Sequence, residues 1–97
     1  MLSIIHDNLI FVQAAKESFM REFEIRLRSV QDVQEFVALA TAVPFPVRVG
    51  SEQYQANGKS FMEMFCLDLA HPLTAHLECN EAEFKLFREA ASRFLAK

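Results

Sequence analysis

The chain has 97 residues, 52% of them hydrophobic and 24% charged, which suits one domain whose folding hides roughly 60 to 70% of the unfolded surface. Asp and Glu number 13 against 10 Lys and Arg, a formal charge of −3, and the closest basic pairs, Arg26 with Arg28 and Lys85 with Arg88, are interleaved with Glu24, Glu83 and Glu89. A nucleic-acid partner needs a clustered basic face to neutralise phosphates, so this pattern excludes that class and reads as solvated surface.

In chain order, Leu2, Ile5, Leu9, Val12 and Phe19 recur near helical spacing with Asp7, Gln13, Lys16 and Glu17 on other faces, which predicts an amphipathic helical extension within residues 1–20. Its apolar stripe must be buried, either on residues 21–97 or against a second copy in a homodimer. Residues 22–28 alternate strictly, with Phe23, Ile25 and Leu27 on one side and Glu24, Arg26 and Arg28 on the other, the pattern of a half-buried strand. Ser29 then suits a helix N-cap with Asp32 at N3, and Val30, Val33, Val37 and Ala40 recur beside Phe36 in a helix running to about Thr41. Pro44 and Pro46 stop it, and strands are expected at residues 47–49 and 53–56 around a Gly50-Ser51 turn.

A short helix after Ser60 is expected to end near Leu67. Beyond His71-Pro72, a fourth strand turns Leu73, Ala75, Leu77 and Cys79 inward and Thr74, His76 and Glu78 outward. Asn80 with Glu83 forms a capping pair for a last helix with the stripe Phe84, Phe87, Ala91 and Phe94, closed by Arg93 and Lys97. The order of elements predicts an α+β open-faced sandwich: a four-stranded antiparallel sheet with three helices on one face, its other face in water.

Cys66 and Cys79 show neither Cys-x-x-Cys nor zinc spacing and sit in apolar settings, so they read as reduced core thiols of a cytoplasmic protein. The N-terminus lacks a basic n-region, and Asp7 interrupts its apolar start, so no secretory signal is expected. No stretch approaches the ~20 apolar residues of a membrane span.

Residues 57–69 read NGKSFMEMFCLDL. Asn57-Gly58 is a turn signal because both residues tolerate positive φ, and Ser60 places a hydroxyl where a helix starts. A phosphoryl group there would face unpaired N–H groups and the positive end of a helix dipole. On the residues alone, Ser60 can be a simple cap and the Met and Phe cluster can simply be core. The run GKS, apolar helix, Leu-x-Leu resembles the regulatory-serine segment of HPr, the histidine-containing phosphocarrier family of the bacterial sugar phosphotransferase system. The resemblance covers residues 21–97 and implies the same element order. In that family a dedicated kinase phosphorylates this serine, and the product binds a transcriptional regulator of carbon catabolite repression. It therefore implies a regulatory phosphorylation at Ser60 and a protein-binding patch at Phe61, Met62 and Phe65, with no cofactor or metal.

The family's carrier histidine caps its first helix and is followed closely by an arginine and a proline. Carried back from Ser60 without a gap, those positions fall on Ser29, Gln31 and Asp32. A serine ester lacks the labile P–N bond a carrier needs, the cation is gone, and Asp32 adds a like charge. The expectation is a non-catalytic, HPr-like regulatory or binding module. The alternative is an active phosphocarrier using a non-standard histidine, His6 or His71. His71 and His76 with Asp68 make only a weak ligand set, and no catalytic triad, paired carboxylates or phosphate loop is present to support an enzyme.

Overall fold

A computed structural model describes residues 19–96. The helix expected within residues 1–20 falls almost wholly outside them. The elements are β1 (Phe19–Ile25), α1 (Val30–Thr41), β2 (Val47–Gly50), β3 (Gln55–Asn57), α2 (Phe61–Met64), β4 (Leu73–Cys79) and α3 (Glu81–Ala90), followed by a 3₁₀ turn at Ser92–Phe94. The strands form one sheet in the order β1-β4-β2-β3, every neighbouring pair antiparallel. Among the described residues no helix is long and apolar enough to cross a membrane.

The sheet's two faces follow from the period of two along each strand. Ile25, Val47, Val49, Ala56, Leu73, Ala75, Leu77 and Cys79 are buried on one face, while Glu22, Glu24, Arg48, Asn57 and Glu78 are exposed on the other. The helices cover the apolar face. Val33, Phe36, Val37 and Ala40 of α1 and Phe87 of α3 are buried, and Phe36 sits 5.8 Å from Phe87 and 6.0 Å from Phe94, ring to ring. Phe23 of β1 meets Phe84 at 5.7 Å, edge to face. Such pairs add about 0.5 to 1.5 kcal/mol each beyond the area they bury.

Several expected boundaries move, each for a tertiary reason. β1 begins at Phe19, inside the expected extension, because β4 is seven residues long and pairs Phe19 with Cys79 through Ile25 with Leu73. It ends at Ile25 because the Arg26 N–H donates to the Phe94 carbonyl and the Ala96 N–H to that of Glu24, so the chain's last residues take over its edge. Leu27 stays fully buried beyond the strand. β3 starts two residues late because the Ser51 N–H donates to the Tyr54 carbonyl and its hydroxyl accepts from the N–H groups of Gln53 and Tyr54, tying residues 51–54 into a turn.

α2 stops at Met64 and not near Leu67. The N–H groups of Cys66 and Leu67 donate three residues back, to Glu63 and Met64, tightening the last turn out of α geometry. α3 stops at Ala90, so Arg93 lies in the 3₁₀ turn and does not close the helix. Val30, expected on the stripe of α1, is exposed at its first turn, and Cys66, expected in the core, is exposed. The thiols of Cys66 and Cys79 are both free.

The Asn57-Gly58 turn forms, but without positive φ. The Ser60 N–H donates to the Asn57 carbonyl (3.0 Å) and the Lys59 N–H to Asn57 Oδ1 (2.9 Å). Glycine is required at 58 by proximity: a Cβ there would lie 2.8 Å from Val47 Cγ1, and the Gly58 N–H already donates to the Val47 carbonyl at 2.7 Å. Gly50 is closed to a side chain in the same way, by the Tyr54 carbonyl oxygen.

Candidate functional site

Ser60 is the N-cap of α2, its backbone extended at φ −116°, ψ 115° and its hydroxyl accepting from the Glu63 N–H at 3.3 Å. The Glu63 carboxylate turns back over the loop and accepts from the Asn57 N–H at 3.0 Å, so the serine cap and the preceding turn form one hydrogen-bonded unit. Lys59 reaches across to donate its ammonium to the Val43 carbonyl (2.8 Å) just beyond α1. These bonds hold the half-buried Ser60 at the edge of the domain. The helix it caps has only four residues, so its dipole is weak, and backbone N–H groups are what a phosphate there would meet.

Of the four residues in this single turn of helix, Met64 is the one that is fully buried. Phe61, Met62 and Phe65 are exposed. Met62 is 83% exposed, the highest value among the large hydrophobic residues described, and Phe61 and Phe65 are about half exposed and stacked at 6.2 Å with their planes 23° apart. Cys66 adds its thiol to this surface and donates to the Met62 carbonyl at 3.4 Å. The ambiguity between core and contact patch thus divides residue by residue: Met64 packs, while Phe61, Met62 and Phe65 form an exposed apolar cluster beside the Ser60 hydroxyl. Aromatic and methionine side chains of this kind are over-represented where proteins bind proteins.

Ser29, where the resemblance would place the carrier histidine, is a closed cap. Its hydroxyl accepts from the Asp32 N–H (3.1 Å), and Asp32 Oδ2 in return accepts from the Arg28 N–H (2.9 Å). The histidines are apart. His71 lies 3.7 Å from Asp68 on an exposed loop. His76 sits on the open face between Glu22 (3.0 Å to Nδ1) and Gln55 (3.2 Å to Nε2), tying β1, β4 and β3 together. Among the described residues no three acidic, histidine or cysteine side chains converge as metal ligands. His6 lies outside the described residues.

One cluster was not legible in the sequence. Arg26 and Arg28, read there as solvated surface, line a cavity of about 510 Å³ with Ser92 and Arg93. Alternation brings Arg26 and Arg28 to one side, but nothing in the local pattern announces Arg93, which arrives when the 3₁₀ turn folds back on β1. Burial on the inward face of β4 pushes the Cys79 thiol pKa up, Glu83 adds to this, and Arg21 opposes it.

Comparison with protein-family models, with curated proteins and with solved structures gives no match in any of the three.

Proposed function

We propose that this chain is a non-catalytic protein-binding module of HPr-like type, which docks a partner on Phe61, Met62 and Phe65 and is regulated by phosphorylation of Ser60. The observation that carries the reading is the exposed, stacked apolar cluster standing directly beside a hydroxyl at a hydrogen-bonded loop edge. The partners this reading implies are protein components of the bacterial sugar phosphotransferase system or of carbon catabolite regulation, in the cytoplasm. The element order and the position of the serine at the head of the short helix support that assignment.

A phosphate on Ser60 adds about −1.5 to −2 charge and three acceptor oxygens at the rim of the apolar cluster, so it changes which partner surface fits without refolding the domain. The Glu63 carboxylate, held on the Asn57 N–H in the same turn, is a like charge that such a phosphate must be accommodated beside. Incubation with the serine kinase and ATP is the test. Acid-stable phosphate on the wild type and none on Ser60→Ala is the expected result. Acid-labile phosphate transferred from phosphoenolpyruvate by the system's first enzyme would instead make the chain a histidine phosphocarrier and overturn the proposal.

A further inference from the structure

The arginine cavity lies at the join between the segment after β1 and the chain's last turn, and it is independent of the Ser60 surface. In a chain of net charge −3, three arginines line one mainly polar hollow, and among the described residues its wall carries no carboxylate. Asp32 and Glu35 lie outside that wall: Arg93 Nη2 is 3.7 Å from Asp32 Oδ1 and hydrogen-bonded to Glu35 Oε1, while Asp32 Oδ2 accepts from the backbone N–H of Arg28 (2.9 Å), leaving the Arg28 side chain without an ion pair among the described residues. Arg26 is pinned by Nη2 donating to the Ala70 carbonyl (3.1 Å), while its Nε is buried without a hydrogen-bond partner among the described residues. Buried guanidinium N–H groups are ordinarily paired, and an arginine fork suits a tetrahedral or planar oxyanion. Ser92 supplies a hydroxyl on the same wall.

We infer that this cavity is a binding site for a small phosphate-type oxyanion, held by Arg26, Arg28 and Ser92 with Arg93 at the rim. Free inorganic phosphate and a small phosphomonoester share the chemistry the site reads, two or three oxygens accepting from guanidinium N–H groups. The cavity has room for either.

The test is an amide-resolved NMR titration of the full chain with sodium phosphate, with methyl phosphate, and with sodium chloride at matched ionic strength. Saturable shifts confined to residues 26–29 and 92–96 with phosphate or its ester, and none with chloride, are expected. Tighter binding of the ester would identify a phosphomonoester as the ligand class, and equal binding would identify the free ion. Arg28→Gln, at an exposed position that leaves the core intact, should weaken binding by about tenfold, and Arg28→Lys should restore only part of it because the fork is lost. Shifts that track ionic strength alone, or that persist unchanged in both Arg28→Gln and Arg93→Gln, would overturn the site.

Discussion

The two serine caps, Ser29 and Ser60, begin alike and end differently. Each sits in extended backbone, accepts from the N–H three residues on, at 3.1 and 3.3 Å, and is followed at that position by an acid, Asp32 or Glu63. Ser29 heads twelve residues whose stripe of Val33, Phe36, Val37 and Ala40 is buried, whereas Ser60 heads four residues of which only Met64 is buried. The same capping chemistry therefore serves structure at one end and leaves an apolar surface free at the other. What decides is the length of helix the cap starts, because a single turn cannot turn all its apolar side chains inward.

The largest test of this contrast is truncation of the buried side chains. Phe36→Ala should cost about 3 to 5 kcal/mol and Met64→Ala about 2 to 5 kcal/mol in denaturant unfolding, because each empties a fully enclosed site. Equal losses from Met62→Ala would erase the distinction between anchor and contact surface. Next come the caps themselves. Ser29→Ala should cost about 1 kcal/mol, since it uncaps a long packed helix, and Ser60→Ala less, since little helix depends on it. The reverse ranking would mean that the Ser60 loop, with its Glu63 and Lys59 bonds, is the more important structural joint. Phe61→Ala and Met62→Ala should change stability by no more than about 0.5 kcal/mol while weakening capture of the partner. Calorimetry of each variant reads the first effect, and binding to the purified partner reads the second.

Sequence pattern is informative wherever one element decides its own exposure. The alternation of β4 is followed by the structure at every inward position, because a strand with one wet face sorts its side chains locally. The Asn80 and Glu83 capping box forms as the spacing implies, with bonds of 2.8 and 3.0 Å. Positions decided by a distant segment are not readable in this way. The end of β1 is set by residues 94–96, the need for Gly58 by Val47, and the arginine cavity by Arg93 meeting Arg26 and Arg28. The candidate site lies between these cases: the cap at Ser60 is visible in NGKS, but the division of the apolar residues of FMEMF into one buried anchor and three exposed ones required the length of the helix.

The two cysteines carry the contrast to its finest grain, since Cys66 stands beside Met62 in the exposed cluster and Cys79 lies on the inward face of β4. A thiol reagent such as Ellman's should therefore label one equivalent rapidly in the native state and the second only as fast as the sheet opens. Two fast equivalents would mean that β4 is exposed. Burial, with Glu83, holds the Cys79 pKa above its ordinary 9.0. Above that pH the unfolded chain gives up this proton while the folded chain keeps it, so the unfolded state binds fewer protons and stability falls as pH rises. The contribution is fully present below the ordinary value and is lost as pH climbs through the folded one. Cys79→Val, close in volume and without a proton to lose, should flatten the alkaline limb of a stability profile. An unchanged slope in Cys79→Val would place the alkaline loss elsewhere in the fold and remove Cys79 as its cause.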